Sequence, residues 1–120
     1  MKIVFVVESL SKKGGAENAL INQSILLSSK GHEILIIHLW GPNDFKEELK
    51  LNQIGFQDLA LRKRWDILDG IKKLKKILII NQPDIINAIN FFPMLYVALS
   101  NRRLAITSIV SYHNLGYETY

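Results

Sequence analysis

The sequence predicts an α/β fold, a parallel sheet with helices on both faces. Three observations predict it. Strand-like and helix-like segments alternate along the whole chain. The strand-like segments, led by Ile3-Val4-Phe5-Val6-Val7, are unbroken apolar runs, the pattern of strands covered on both sides. The chain also opens with a strand, a glycine-bearing loop and a helix leading to a second strand, a βαβ unit that should be right-handed.

The elements follow in order. After the first strand, Glu8 to Lys13 form a polar connection that ends in Gly14-Gly15. A helix is expected from Ala16 to Ser29, because Ala16, Ala19, Leu20 and Ile25-Leu26-Leu27 recur at helical spacing. Lys30-Gly31 supplies its C-cap, with glycine free to turn left-handed. Glu33 to Leu39 is the second strand. Trp40-Gly41-Pro42-Asn43-Asp44 is a breaker cluster, and Asp44 is placed to N-cap a short helix reaching Gln53. Gly55 should end that helix, with Phe56 to Leu61 as a short third strand.

Arg62-Lys63-Arg64 then makes a basic loop, and Asp66 is placed to cap a helix running to Asn81. Ile67, Leu68, Ile71, Leu74, Ile77 and Leu78 are expected on its buried face, opposite Lys72, Lys73, Lys75 and Lys76. Pro83 enforces the next break. Asp84 to Ile89 is the fourth strand, and Phe92-Pro93 opens a helix to Asn101. Arg102-Arg103 connects to a fifth strand, Ala105 to Tyr112. No helix follows to cover that strand, so either a short helix escapes this reading or the chain is a fragment of something longer.

Size and composition narrow the function. A chain of 120 residues holds one domain at most and buries about two-thirds of its unfolded surface. With 48% hydrophobic and 22% charged residues it is an ordinary globular chain. The absence of cysteine excludes disulfides and thiolate metal sites and fits a reducing cytoplasm. The five-residue apolar run near the start is too short for a signal peptide, and no segment nears the span of a bilayer. A net charge of +4 suits a phosphorylated ligand or an anionic membrane face, but is too small and too spread to indicate nucleic acid. The three histidines lack metal-ligand spacing, and no nucleophile elbow or Ser-His-Asp set is present, so neither metal nor cofactor is expected.

The strand, Gly14-Gly15 loop and helix present N-terminal amides in the way that suits an anion, with Lys12 and Lys13 adding positive charge. The spacing is neither G-x-G-x-x-G nor a P-loop, and a plain tight turn is the alternative. Ligands in open α/β sheets sit outside the carboxyl ends of the strands. That rim collects Glu8 through Gly15, His38 and Trp40, Asn87 through Phe92, and His113 with Asn114. Glu17 is expected to serve the helix dipole, His32 to be a turn residue, and His38 to be structural. The lysine-rich helix face has two readings, a solvated surface, which the pattern favours, and a contact with anionic lipid headgroups.

Four segments in order carry a family resemblance. They are Met1 to Val7 with Gly14-Gly15-Ala16-Glu17, Lys30 to Ile34, Gln82 to Ala88, and Ser108 to Asn114. Together they resemble the N-terminal half of a family 4 glycosyltransferase, a Rossmann-like domain of the GT-B fold. The resemblance implies retaining transfer of a sugar from a nucleotide diphosphate sugar to a carbohydrate or lipid-linked acceptor. It implies that residues 1–120 form a truncated, acceptor-side half that is inactive alone and lacks a C-terminal donor-binding domain. Gly14 and Gly15 would border the donor diphosphate, and His113 would face the reacting sugar as the catalytic histidine. Lys12, Lys13, Asn90 and Asn114 would lie on the acceptor-side rim.

The protein would then be cytoplasmic, with possible contact at the inner membrane face. A non-catalytic binding subunit of a two-chain glycosyltransferase is the second reading. A dinucleotide-dependent enzyme is a third, disfavoured because no acidic residue clearly ends the second strand. An open cleft face with Trp40, Phe91, Phe92 and Tyr117 exposed would promote self-association.

Overall fold

The computed structural model describes residues 1–62 and 66–111. Lys63, Arg64, His113, Asn114 and Tyr117, all named above, lie outside the described residues. Five strands alternate with four helices: β1 (Lys2–Val7), α1 (Gly15–Ser29), β2 (Glu33–His38), α2 (Lys46–Leu51), β3 (Gly55–Asp58), α3 (Ile67–Asn81), β4 (Ile85–Ile89), α4 (Phe91–Ser100) and β5 (Thr107–Ser111). They form one parallel sheet in the order β3-β2-β1-β4-β5. β1 is central, with Ile3 opposite Ile34 on one side and Ile85 on the other.

Successive side chains of a strand point to opposite faces, which explains the unbroken apolar runs. Val4 and Val6 join Ile37, Ile86, Leu74, Leu78, Tyr96 and Val97 in the core under α3 and α4. Ile3, Phe5 and Val7 join Ile34, Ile36, Leu20, Ile21 and Leu49 under α1 and α2. The Rossmann-like α/β architecture expected from the sequence is therefore the observed one.

Several local expectations are corrected. Asp44 does not cap α2. Its carboxylate accepts the Lys12 backbone N–H at 2.9 Å, and α2 begins after Phe45. Gly55 does not stop a helix but starts β3, because Gln53 at φ 58° has already turned the chain. β3 ends at Asp58, where Ala60 at φ 53° donates its N–H to Asp58 Oδ1. Asp66 holds the N-cap position of α3, with its carboxylate accepting the Arg62 N–H at 3.1 Å. Gly31 takes φ 96° after α1, as the cap pattern predicted.

On α3, Leu68 is not in the core but 86% exposed, while Ile67 and Ile71 are only partly covered. The exposed aromatics also differ from expectation. Trp40 and Phe92 pack edge to face at 5.7 Å against the core, and Phe91 alone of the described trio stands out into solvent. β5 is bare, with Ile109 and Val110 exposed on its two faces. Its connection to α4 is held by Asn101, whose side chain donates to the Ile106 carbonyl and accepts the Ile106 N–H.

Candidate functional site

The chain moves outward from β1 to β2 and β3, then returns to β4 on the other side of β1. The β1/β4 junction is thus the switch point of the sheet, where open α/β folds leave a crevice at the strand carboxyl ends. A cavity of about 200 Å³ lies there. Val7, Glu8 and Ser9 line it from β1, Ile89 and Asn90 from β4, and Ala16, Glu17 and Leu20 from α1.

The loop between β1 and α1 is tied down on its outer side. Leu10 donates its N–H to the Pro42 carbonyl and accepts from Asp44 N–H, while Asp44 accepts from Lys12. Gly41, at φ 77°, sits tightly against Ser9 Cβ, a close approach that a side chain there would obstruct. The Lys12 ammonium reaches Glu48 Oε1 at 3.7 Å and lies 5.8 Å from the centre of the Phe45 ring, on the α2 side of the loop. Lys13 is exposed, and neither lysine lines the cavity.

Gly14 is the N-cap of α1, at φ −96° and ψ 137°, so it does not use the left-handed freedom of glycine. Its carbonyl accepts both the backbone and the side-chain N–H of Asn18. Glu17 stands at the third helical position and folds back over Gly14, where a Cβ would strike its carboxylate. That carboxylate satisfies the positive end of the helix dipole, so an anion approaching Gly14 requires Glu17 to change rotamer. Gly15 is different, for nothing lies within 4 Å of where its Cβ would be.

Asn90 carries the clearest sign of strain. Its φ of 72° and ψ of −176° fall in a region almost confined to glycine, at a cost of about 1–3 kcal/mol. Its N–H donates to the Ser111 carbonyl at 2.7 Å, and its carbonyl accepts Met94 N–H. Reading the sequence places Asn90 on the rim but gives no hint of the strain, since the residue is not glycine. The same reading misses Glu17 as a cavity wall. The available signal was an acid three residues into a helix that opens on Gly-Gly.

The other histidines are placed as expected. His32 lies at the strand-entry end, its Nδ1 3.3 Å from the amino terminus. His38 is buried in β2, and it has partners that the sequence did not reveal. Its Nδ1 lies 3.4 Å from the Trp40 carbonyl and 3.8 Å from Asp58 Oδ1, both acceptors, which puts the proton on that nitrogen.

Sheet order, helices on both faces and a cavity at the switch point define a Rossmann-like α/β domain. The family model for Glycosyltransferase Family 4 matches residues 13–120, and the chain belongs to that family. Among solved structures it is similar to a glycosyltransferase from Rickettsia africae ESF-5, at 20% identity and a TM-score of 0.71 over 92% of this chain and 29% of that one. It is similar also to the lipopolysaccharide outer core galactosyltransferase WaaB in its apo form, at 18% identity and 0.71 over 93% of this chain and 32% of that one. A UDP-GlcNAc 2-epimerase from Neisseria meningitidis bound to UDP-GlcNAc shares the fold, at 17% identity and 0.60 over 98% of this chain and 35% of that one. The chain thus spans about a third of the solved chains it matches. No curated protein matches it. Among the described residues, no helix is long and apolar enough to cross a membrane.

Proposed function

We propose that the protein carrying this chain transfers a sugar from a nucleotide diphosphate sugar to a carbohydrate or lipid-linked acceptor, with retention at the anomeric carbon. In this reading residues 1–120 form one acceptor-side domain and a further donor-binding domain completes the enzyme. The observation that carries the reading is the β1/β4 cavity in a chain of this family. Glu8, Ser9, Glu17 and Asn90 line it with acceptors and donors suited to hydroxyl groups, and among the described residues no lysine or arginine lines it.

The donor diphosphate is assigned to the Gly15 side of the loop, where the backbone is open, with Gly14 behind it under Glu17. Lys12, Lys13, Asn90 and Asn114 belong to the acceptor-side rim, and His113 is assigned the catalytic contact with the sugar. The cysteine-free sequence supports a cytoplasmic site of action.

The test is transfer of labelled sugar from a panel of nucleotide diphosphate sugars by the full-length enzyme and by residues 1–120 alone. Transfer is expected from the first and none from the second. Within the full-length enzyme, Gly15→Ala should lower kcat/KM at least about tenfold, because a methyl group then stands where the diphosphate approaches. Its melting curve should match the parent's, since the position is open. Unchanged kinetics in Gly15→Ala would remove the diphosphate from this loop.

A further inference from the structure

The β1/β4 cavity is acidic although the chain is basic. The sequence carries a net charge of +4, yet the charged residues lining the cavity are Glu8 and Glu17, and no lysine or arginine lines it among the described residues. The lysines of the neighbouring loop are turned elsewhere. Lys12 reaches Glu48 Oε1 at 3.7 Å and lies over the Phe45 ring, and Lys13 is exposed outside the cavity.

The two carboxylates are not equivalent. Glu17 stands in the first turn of α1, where the positive end of the helix dipole compensates it. Glu8 follows β1 and has no helix end to serve. Neither forms an ion pair among the described residues. The backbone of Glu8 is fixed, because its carbonyl accepts the Leu39 N–H at 3.1 Å and the Trp40 N–H at 3.0 Å. Its charge is therefore held beside a wall that includes the apolar Val7, Leu20 and Ile89, surroundings that strengthen electrostatic effects. Size adds a second limit. Drug-sized ligands occupy pockets of about 300–1,000 Å³, so the 200 Å³ here suits a single ring.

We infer that the cavity selects an acceptor whose entering unit is an amine-bearing sugar ring, with Glu8 as the specificity-determining residue. The inference rests on the reading of this cavity as the acceptor site. A protonated amine donates a charge-assisted hydrogen bond to the Glu8 carboxylate, and ring hydroxyls donate to Glu17 and exchange hydrogen bonds with Ser9. An N-acetylated ring fills the same space without the cation. A phosphorylated ring brings a like charge against Glu8, which works as a rejecting element.

The experiment titrates the purified full-length protein with glucosamine, N-acetylglucosamine, glucose and glucose 6-phosphate, read by ligand-observed NMR with no donor present. Glucosamine is expected to bind about tenfold more tightly than glucose or N-acetylglucosamine, and glucose 6-phosphate most weakly. In Glu8→Gln the preference for the amine should fall to about twofold or less, with glucose binding little changed. Glu17→Gln should keep most of the preference, because the helix dipole already compensates that carboxylate. Melting curves check that both variants fold. The parent gives an independent check, since raising the pH until the amine is neutral should abolish the preference. Equal binding of glucosamine and glucose by the parent would overturn the inference, as would no binding of glucosamine. So would a preference that survives Glu8→Gln or neutralisation of the amine. Absence of sugar transfer from every nucleotide sugar would instead sink the glycosyltransferase reading, because the amine preference is read in binding alone.

Discussion

The two helical layers treat the same sheet differently. Under α3 and α4 the packing is close: Gly70 lets α3 settle directly onto the Tyr96 ring, and Leu74, Tyr96 and Val97 are fully enclosed. Under α1 the helix buries Leu20, Ile21 and Ser24, leaves Leu26 exposed, and opens into the β1/β4 cavity at its N-terminus. The closest helix packing lies in one layer and the candidate site in the other. Binding segments are commonly drawn from the less stable parts of a fold, because they must adjust to a ligand.

Gly70→Ala tests the close layer and has the largest expected effect. A methyl group there would collide with the Tyr96 ring and crowd Leu61. Overpacking typically costs about 1–3 kcal/mol, and a collision this close belongs at the upper end, against a gain of about 1 in helix propensity, so a net loss of about 2 kcal/mol is expected in denaturant melts. A stabilised Gly70→Ala variant would show that the layer is looser than its geometry implies.

Ser24→Ala tests the other layer in the opposite direction. Ser24 Oγ is buried without a hydrogen-bond partner among the described residues. Its removal frees the fold of a desolvated hydroxyl and should raise stability by about 1 kcal/mol. A loss of similar size would mean that the hydroxyl is satisfied in solution.

The smallest effect is a pH dependence. Burial pushes the Tyr96 phenol above its usual range, and the Asp66 carboxylate adds to the shift. Its folded pKa then exceeds the unfolded value of about 10, so above that pH the native state holds more protons than the unfolded one. The stability associated with the neutral phenol is complete below pH 10 and falls as pH rises through the folded pKa. Tyr96→Phe should flatten this alkaline decline in melts between about pH 9 and 11, whereas an unchanged decline would place its origin elsewhere.

Much of this was legible in the sequence. The apolar runs of β1, β2 and β4 and the glycine at the end of α1 specify the parallel sheet, because each local signal agrees with the fold. What was not legible depended on distant partners. Asp44 has the residue type of a helix cap, yet the Lys12 amide, far away in the chain, takes its carboxylate. Leu68 fits the period of the buried stripe, but the stripe that α4 and the sheet cover is narrower than the periodicity suggests. For the candidate site, the rim position of Asn90 followed from the strand-end rule. Its backbone strain and the fold of Glu17 over Gly14 are properties of coordinates, with only a faint trace in residue type.

The strand order also has a consequence during synthesis. β1 leaves the ribosome first but is complete only when β4 pairs with its second edge, after α3 has crossed back over the sheet. Until α3 emerges the nascent chain can form at most a β3-β2-β1 half-sheet covered by α1 and α2. Its other face, with Val4, Val6, Ile37 and Leu39, remains uncovered, and one edge of β1 offers free N–H and C=O groups. Such an intermediate invites aggregation and chaperone capture. The docking of Ile85–Ile89 onto β1 is a long-range event that closes a large loop, and it should therefore set the pace of folding.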